Sequence, residues 1–217
     1  MKKQQFLVVG LGSFGETIAA ELTRLGHDVV GIDTNTHLVD RLADVITHAV
    51  VADGADDKAL EELNAGGFDA AVVAIGEHIE ASLLATLHLR SLGVKEVWVK
   101  ALTRDHHRIL AKIGATRIVH PEYEMGMRVA QALNHPTVNN YISLGDEEYI
   151  VEMIVTEKIE GRKIEEILEE AGADVKLLLV RRKDRTYVTP AQMVLAQHDH
   201  LVLVGQLAEL RKTAPFV

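Results

Sequence analysis

Over roughly the first 120 residues the apolar positions form short, nearly continuous runs, and the stretches between them mix apolar and charged residues at helical spacing. Runs such as "AAVVAIG" and "EVWVKA" have no polar face, the pattern of strands buried on both sides of a parallel sheet, while the intervening helices carry the charge. They predict strands at Gln5 to Gly10, Asp28 to Asp33, His48 to Asp53, Asp69 to Gly76, Glu96 to Ala101 and Arg117 to Glu122. Regular alternation of strand and helix specifies a doubly wound α/β layer.

Helix punctuation fits this layout. Gly26 and Gly93 sit where helices must stop before a strand, and Asp56 and Thr103 stand where side chains cap helix starts. Past Pro121 the pattern changes: "EYEMGMRVAQAL" reads as one more helix and "NHPTVNNYISLGDEE" as a turn-rich stretch. The remainder predicts strands at Glu148 to Thr156, Lys176 to Arg181, Arg185 to Thr189 and His200 to Gly205, a helix at Ile164 to Ala171, and a hairpin turn in "RKDRT". The expected division is therefore residues 1–135, a doubly wound α/β domain ending in a helix, and 136–217, a small α+β domain, with the boundary near Pro136.

Composition narrows the function. The 217 residues are 47% hydrophobic, enough for a sizeable core, and 23 Lys and Arg against 32 Asp and Glu leave a net charge of −9. An acidic chain offers no footprint for a nucleic-acid backbone. With Cys 0, disulfide scaffolds, thiolate zinc sites and Cys nucleophiles are excluded, and a reducing cytoplasm is compatible. Lys2 and Lys3 precede an apolar stretch that Gly10 and Gly12 interrupt, so no signal peptide is read. No uninterrupted apolar run reaches the ~18 residues of a membrane span.

The stretch "VVGLGSFG" carries the chemistry. Gly10, Gly12 and Gly15 follow a strand and open a helix as G-x-G-x-x-G. In that motif the first glycine permits a tight turn, the second lets backbone approach a pyrophosphate, and the third allows close helix packing; the helix N-terminus then receives the phosphate. Asp33, with Thr34 beside it, lies 18 residues after Gly15, near the expected spacing of about 20 for an acid that binds ribose hydroxyls. A carboxylate there repels a 2′-phosphate, favouring NAD or an adenosine nucleotide over NADP. Ligands of open α/β sheets sit beyond the carboxyl ends of the strands, which adds Asp53, Gly54, Ala74, Ile75, Gly76, Lys100 and Glu122 as candidates.

Nothing comparable points to catalysis. There is no Tyr-x-x-x-Lys pair, no phosphate-loop Gly-Lys-Ser/Thr, and no Ser or Thr in a nucleophile motif. The pairs His106/His107 and His198/His200 read as surface or interface residues. A small NAD-dependent oxidoreductase using His106 or Lys100 as acid or base is the alternative, as is a nucleotide or redox sensor with a non-channel partner. Met125, Val129 and Leu133 recur every four residues along the helix after Pro121, a face suited to core packing or to a subunit contact.

Taken together, "VVGLGSFG", "GID", "HAVVAD", "AAVVAIGEHIEASLLATL", "VWVKA" and "KIGATRIVHPEYEMG" resemble the RCK (or KTN) cytosolic regulatory subunits of Ktr/Trk-type potassium transport systems. The resemblance implies a Rossmann-like domain and a small C-terminal domain, and a gating rather than enzymatic role. It further implies binding of ATP, ADP or NAD(H), dimers within an octameric ring, and docking on a potassium-translocating subunit at the cytoplasmic face of the membrane. It assigns Gly10, Gly12, Ser13, Phe14 and Gly15 to the phosphate turn, Asp33 to ribose, Asp53 and Gly54 to the vicinity of adenine, and Ala74 to Gly76 with Lys100 to the walls. Glu122, the acid of "HPE", matches a carboxylate that helps hold a divalent cation, Mg or Ca. Ser13 stands where ATP-activated relatives place an arginine, which gives NAD(H) or ADP more weight. Glu170 stands where some relatives place an arginine for a cyclic dinucleotide, so no such binding is expected.

Overall fold

A computed structural model describes residues 2–134, 138–188 and 193–213. The chain divides into two compact units, Met1–Pro121 and Glu122–Val217. The boundary expected near Pro136 lies outside the described residues.

The first unit is a six-stranded parallel sheet in the order β3-β2-β1-β4-β5-β6, made of β1 (Gln5–Val9), β2 (Asp28–Asp33), β3 (His48–Val51), β4 (Ala70–Val73), β5 (Glu96–Lys100) and β6 (Arg117–Val119). The connecting helices are α1 (Ser13–Arg24), α2 (Thr36–Leu42), α3 (Asp57–Glu62), α4 (Ile79–Ser91) and α5 (Arg104–Ile113). Because neighbouring side chains of a strand point to opposite faces, Leu7 and Val9 join one core with Leu60, Leu89 and Leu110, while Val8 joins another with Ala19, Val39 and Leu42. Burial on both faces explains the uninterrupted apolar runs, and the doubly wound parallel sheet is the one expected. The strand order reverses between β1 and β4, the switch point where such sheets open a crevice.

The structure ends several strands earlier than the apolar runs suggest. β3 stops at Val51, β4 at Val73 and β6 at Val119. Asp53, Gly76 and Glu122 therefore lie past the strands. Glu122 does not end the sixth strand; it stands in the first turn of α6 (Pro121–Asn134), which a proline can begin because its missing N–H is not needed there. The caps are where the sequence places them: Asp56 accepts from the Lys58 N–H at 3.1 Å and Thr103 from the His106 N–H at 3.1 Å. Gly26 and Gly93 adopt φ of 90° and 88° at the helix stops.

The second unit holds α6, a five-stranded antiparallel sheet and two short helices. Its strands are β7 (Val138–Gly145), β8 (Glu148–Ile154), β9 (Val175–Arg182), β10 (Arg185–Val188) and β11 (His200–Gln206), in the order β10-β9-β11-β8-β7. α7 (Ile164–Ala171) and α8 (Leu207–Thr213) complete the unit, whose core includes Ile164, Ile167, Val180, Leu201, Leu203 and Leu210. β7 occupies the stretch read as turn-rich. Pairing with β8 overrides the weak strand propensity of Asn139 and Asn140, and the tight turn through Gly145, Asp146 and Glu147, all at positive φ, permits it.

Candidate functional site

The glycine turn joins β1 to α1 at the switch point. Gly10 has φ +96° and donates its N–H to the Ile32 carbonyl at 2.8 Å; a Cβ there would lie 3.1 Å from Ala74 and Ile75 backbone. At Gly12, the N-cap of α1, a Cβ would meet nothing within 4 Å, so the space before the helix N-terminus is open. Gly15 is the opposite case: its Cβ would fall 1.9 Å from the Gly10 carbonyl oxygen. No side chain fits between the helix and the strand end. The first intrahelical bond runs from the Glu16 N–H to the Gly12 carbonyl at 2.8 Å, and the amides ahead of it lie at the positive end of the helix. The backbone thus forms a cradle suited to a phosphate, flanked by exposed Ser13 and half-buried Phe14.

Asp33 ends β2 alongside this turn. Its Oδ2 accepts the Leu11 N–H at 2.7 Å and its Oδ1 the Asn35 N–H at 2.8 Å. Thr34 next to it is exposed. Beyond β3, the Asp53 Oδ1 accepts the Ala55 N–H at 2.9 Å, which shapes the loop, and Gly54 is buried where a Cβ would press on Val9 at 2.2 Å. After β4, the Ala74 N–H donates to the Val9 carbonyl at 2.7 Å, and Ile75 and Gly76 are half-buried. Lys100 at the end of β5 is only 8% exposed, with Nζ 5.9 Å from the Phe14 ring centroid and 3.5 Å from the position of a Gly76 Cβ. A cation is therefore held beside the turn against an aromatic face. The first unit gathers every candidate except Glu122, which belongs to the second.

Two features escaped the sequence reading. Glu16, in the first turn of α1, pairs with Arg41 in the last turn of α2. Nothing in the sequence signals a pair 25 residues apart. His106, expected at the surface, is 1% exposed. Its Nδ1 accepts the Leu102 N–H at 3.3 Å, and burial first, then the charge of His120, lowers its pKa below the usual imidazole value. Its neighbour His107 shares a 2.9 Å Nδ1 to Nε2 hydrogen bond with His120. In the second unit, His200 pairs with Glu152 at 2.7 Å, and Glu170 pairs with Arg162 at 2.5 Å. Among the described residues, no group of three or more His, Asp or Glu side chains is arranged to hold a metal ion.

No helix among the described residues is long and apolar enough to cross a membrane. The TrkA-N domain family profile matches residues 6–121. The chain is 38% identical over 213 residues to Ktr system potassium uptake protein A of Bacillus subtilis, covering 98% of this chain and 96% of that protein. It is 35% identical over 211 residues to Ktr system potassium uptake protein C of the same organism, covering 97% and 96%. The GsuK channel bound to NAD superposes with a TM-score of 0.66 over 99% of this chain and 39% of that one, at 19% identity, which shows a common fold. With the glycine cradle inside the matched domain and end-to-end similarity to both Ktr proteins, the chain belongs to the TrkA-N (RCK) family of Ktr-type potassium uptake proteins.

Proposed function

We propose that this chain is the nucleotide-sensing regulatory subunit of a Ktr-type potassium uptake system. The observation that carries the reading is the cradle at Gly10, Gly12 and Gly15, with open space at Gly12 and the Asp33 carboxylate beside it. An adenine nucleotide, ATP, ADP or NAD(H), lays its phosphates on the α1 N-terminus and its ribose at Asp33 and Thr34. Its adenine lies near Asp53 and Gly54, and Ala74, Ile75, Gly76 and Lys100 wall the site. Ser13 puts a hydroxyl where a guanidinium would favour a terminal phosphate, so NAD(H) and ADP are the preferred ligands. The superposition with an NAD-bound channel is consistent with that choice.

In this reading residues 1–135, including α6 as the crossover helix, are the nucleotide-binding part and 136–217 the smaller C-terminal part. The partner is a potassium-translocating membrane subunit of Ktr/Trk type, met at the cytoplasmic face by a homo-oligomer of dimers in an octameric ring. α6 supports a subunit contact: Tyr123, Met125, Met127, Val129 and Leu133 are 68%, 54%, 45%, 51% and 76% exposed in the single chain. Glu122, in the first turn of the same helix, contributes to holding Mg or Ca together with nucleotide phosphates. The ligand changes the ring only through different affinity for its two shapes, so it acts as signal and undergoes no reaction. An oxidoreductase would need a proton donor facing the nicotinamide; His106 is buried at the start of α5, and Lys100 lies beside the phosphate turn against the Phe14 ring.

The test is mass spectrometry of small molecules released from the purified protein, with thermal shifts for ATP, ADP, NAD and NADH. Retention or a shift is expected for at least one of the four. No retained nucleotide and no shift with any of them overturns the reading. Co-purification with a pore-forming subunit from membranes tests the partner.

A further inference from the structure

Asp33 makes two backbone contacts that a ribose ligand does not require. One donor, the Leu11 N–H at 2.7 Å, lies inside the glycine turn; the other, the Asn35 N–H at 2.8 Å, leads into α2. Leu11 is fully buried, and its side chain packs so closely over Gly31 that a Cβ there would stand 2.8 Å from the Leu11 Cδ2. The turn is therefore anchored at one residue twice, by a side chain in the core and by an amide on the carboxylate. Gly10 adds a third tie, to the Ile32 carbonyl at 2.8 Å. All three ties reach β2 and none uses the amides at the head of α1.

A carboxylate is the side chain this arrangement needs. Two N–H groups approach it from different elements and reach different oxygens, Leu11 at Oδ2 and Asn35 at Oδ1, and a carboxylate satisfies both at once. Each oxygen accepts two hydrogen bonds, so each keeps one acceptor position for a ribose hydroxyl. An asparagine would satisfy one N–H and set its own NH2 against the other.

We infer that Asp33 is a positioning residue for phosphate as well as a ligand for ribose: it braces the glycine turn, so that the phosphate-facing amides of α1 are set before the nucleotide arrives. This rests on the nucleotide reading given above. Ribose and phosphate recognition then share one carboxylate, and the site reads an adenosine phosphate as a unit. Setting the cradle in advance removes an ordering cost that the ligand would otherwise bear.

The experiment compares full-length wild type with Asp33→Asn, using calorimetric titration with inorganic tripolyphosphate, which has no ribose, and with adenosine, which has no phosphate. A brace predicts that the substitution weakens tripolyphosphate roughly ten- to hundredfold, the scale of a lost hydrogen bond to a charged group. Amide hydrogen exchange in the ligand-free variant should quicken at Leu11 and stay unchanged at Val99, deep in the sheet. Unchanged tripolyphosphate affinity beside weakened adenosine binding makes Asp33 a ribose ligand only and overturns the inference. A wild-type chain that binds ATP but not tripolyphosphate also overturns it and leaves the nucleotide reading standing; one that binds neither overturns both. Should the variant fail to fold, wild-type NMR decides: scalar coupling between the Leu11 amide and the Asp33 carboxyl carbon is expected, and its absence overturns the brace.

Discussion

In the first unit every parallel strand runs out into a loop that leads to the next helix, and at β1 and β4 those loops open with Gly10 and Ala74. In the second unit antiparallel neighbours are joined by tight turns at Gly145 to Glu147 and at Lys183, and Arg182 on β9 pairs with the buried Asp199 just before β11. The difference follows from strand direction. Parallel strands need crossovers, so their carboxyl ends leave polar backbone unpaired at one edge, whereas hairpins consume it. The first unit leaves backbone amides open at the head of α1, while in the second most backbone groups are taken up by the antiparallel ladder and a charged pair ties β9 to the residue before β11.

The largest effect that tests this contrast falls on the second unit. Asp199 is 1% exposed and accepts two bonds from Arg182, at 2.7 and 2.6 Å, and one from the Ala196 N–H at 2.9 Å. Asp199→Ala removes the carboxylate that accepts from the half-exposed Arg182 guanidinium and from the Ala196 N–H, and should cost about 3 kcal/mol in chemical denaturation, the upper end for a hydrogen bond to a charged group. Hydrogen exchange should locate that loss in the second unit and leave nucleotide binding alone. In the first unit Gly15→Ala drives a methyl into the Gly10 carbonyl and should cost about 1 to 3 kcal/mol while abolishing nucleotide binding. Gly12→Ala separates the two quantities. Its methyl enters open space, so stability should fall by no more than about 1 kcal/mol, the scale of an N-cap change, while nucleotide affinity drops because the methyl occupies the phosphate's approach.

Acid should also distinguish the units. Burial holds the His106 pKa below its unfolded value, so an unfolded chain takes up a proton that the folded one refuses. Stability of the first unit should therefore decline as pH falls through about 6.5, the unfolded imidazole value. For Asp199 burial acts upward, but the Arg182 hydrogen bonds, the Ala196 N–H and the nearby cations outweigh it and lower the pKa. Its contribution is present above the unfolded value of about 3.9 and is lost as pH falls through the folded one. The protein has a single tryptophan, Trp98 in β5, so its fluorescence reports the first unit during an acid titration. An earlier transition by Trp98 than by hydrogen exchange in β9 and β11 is expected. His106→Gln should shift only the first, and coincident transitions in both proteins would remove His106 as the cause.

Much of this was readable from residue order. The inner strands β1, β2 and β4 announce themselves because burial on both faces permits no polar residue mid-strand, and the helix caps at Asp56 and Thr103 act through neighbours two or three residues away. Strand ends were less legible, since Ala52 after β3 and Ala74 and Ile75 after β4 continue an apolar run past the last ladder pairing. β7 was missed because Asn139 and Asn140 suit turns, and only the neighbouring β8 makes a strand of them. His106 was misplaced because a histidine on a charged helix looks exposed until α5 is packed on the sheet.

What the sequence determined by itself is local: the glycine spacing, the acid that follows it, and the apolar runs that mark the strands on either side. The tertiary structure decided what those residues do for one another. Leu11 and Asp33 are 22 residues apart, and no periodicity links them. They meet because β1 and β2 pair in parallel with Val9 opposite Ile32, which brings the turn that follows one strand level with the acid that ends the other. A register shift of one residue would turn that carboxylate to the other face of the sheet.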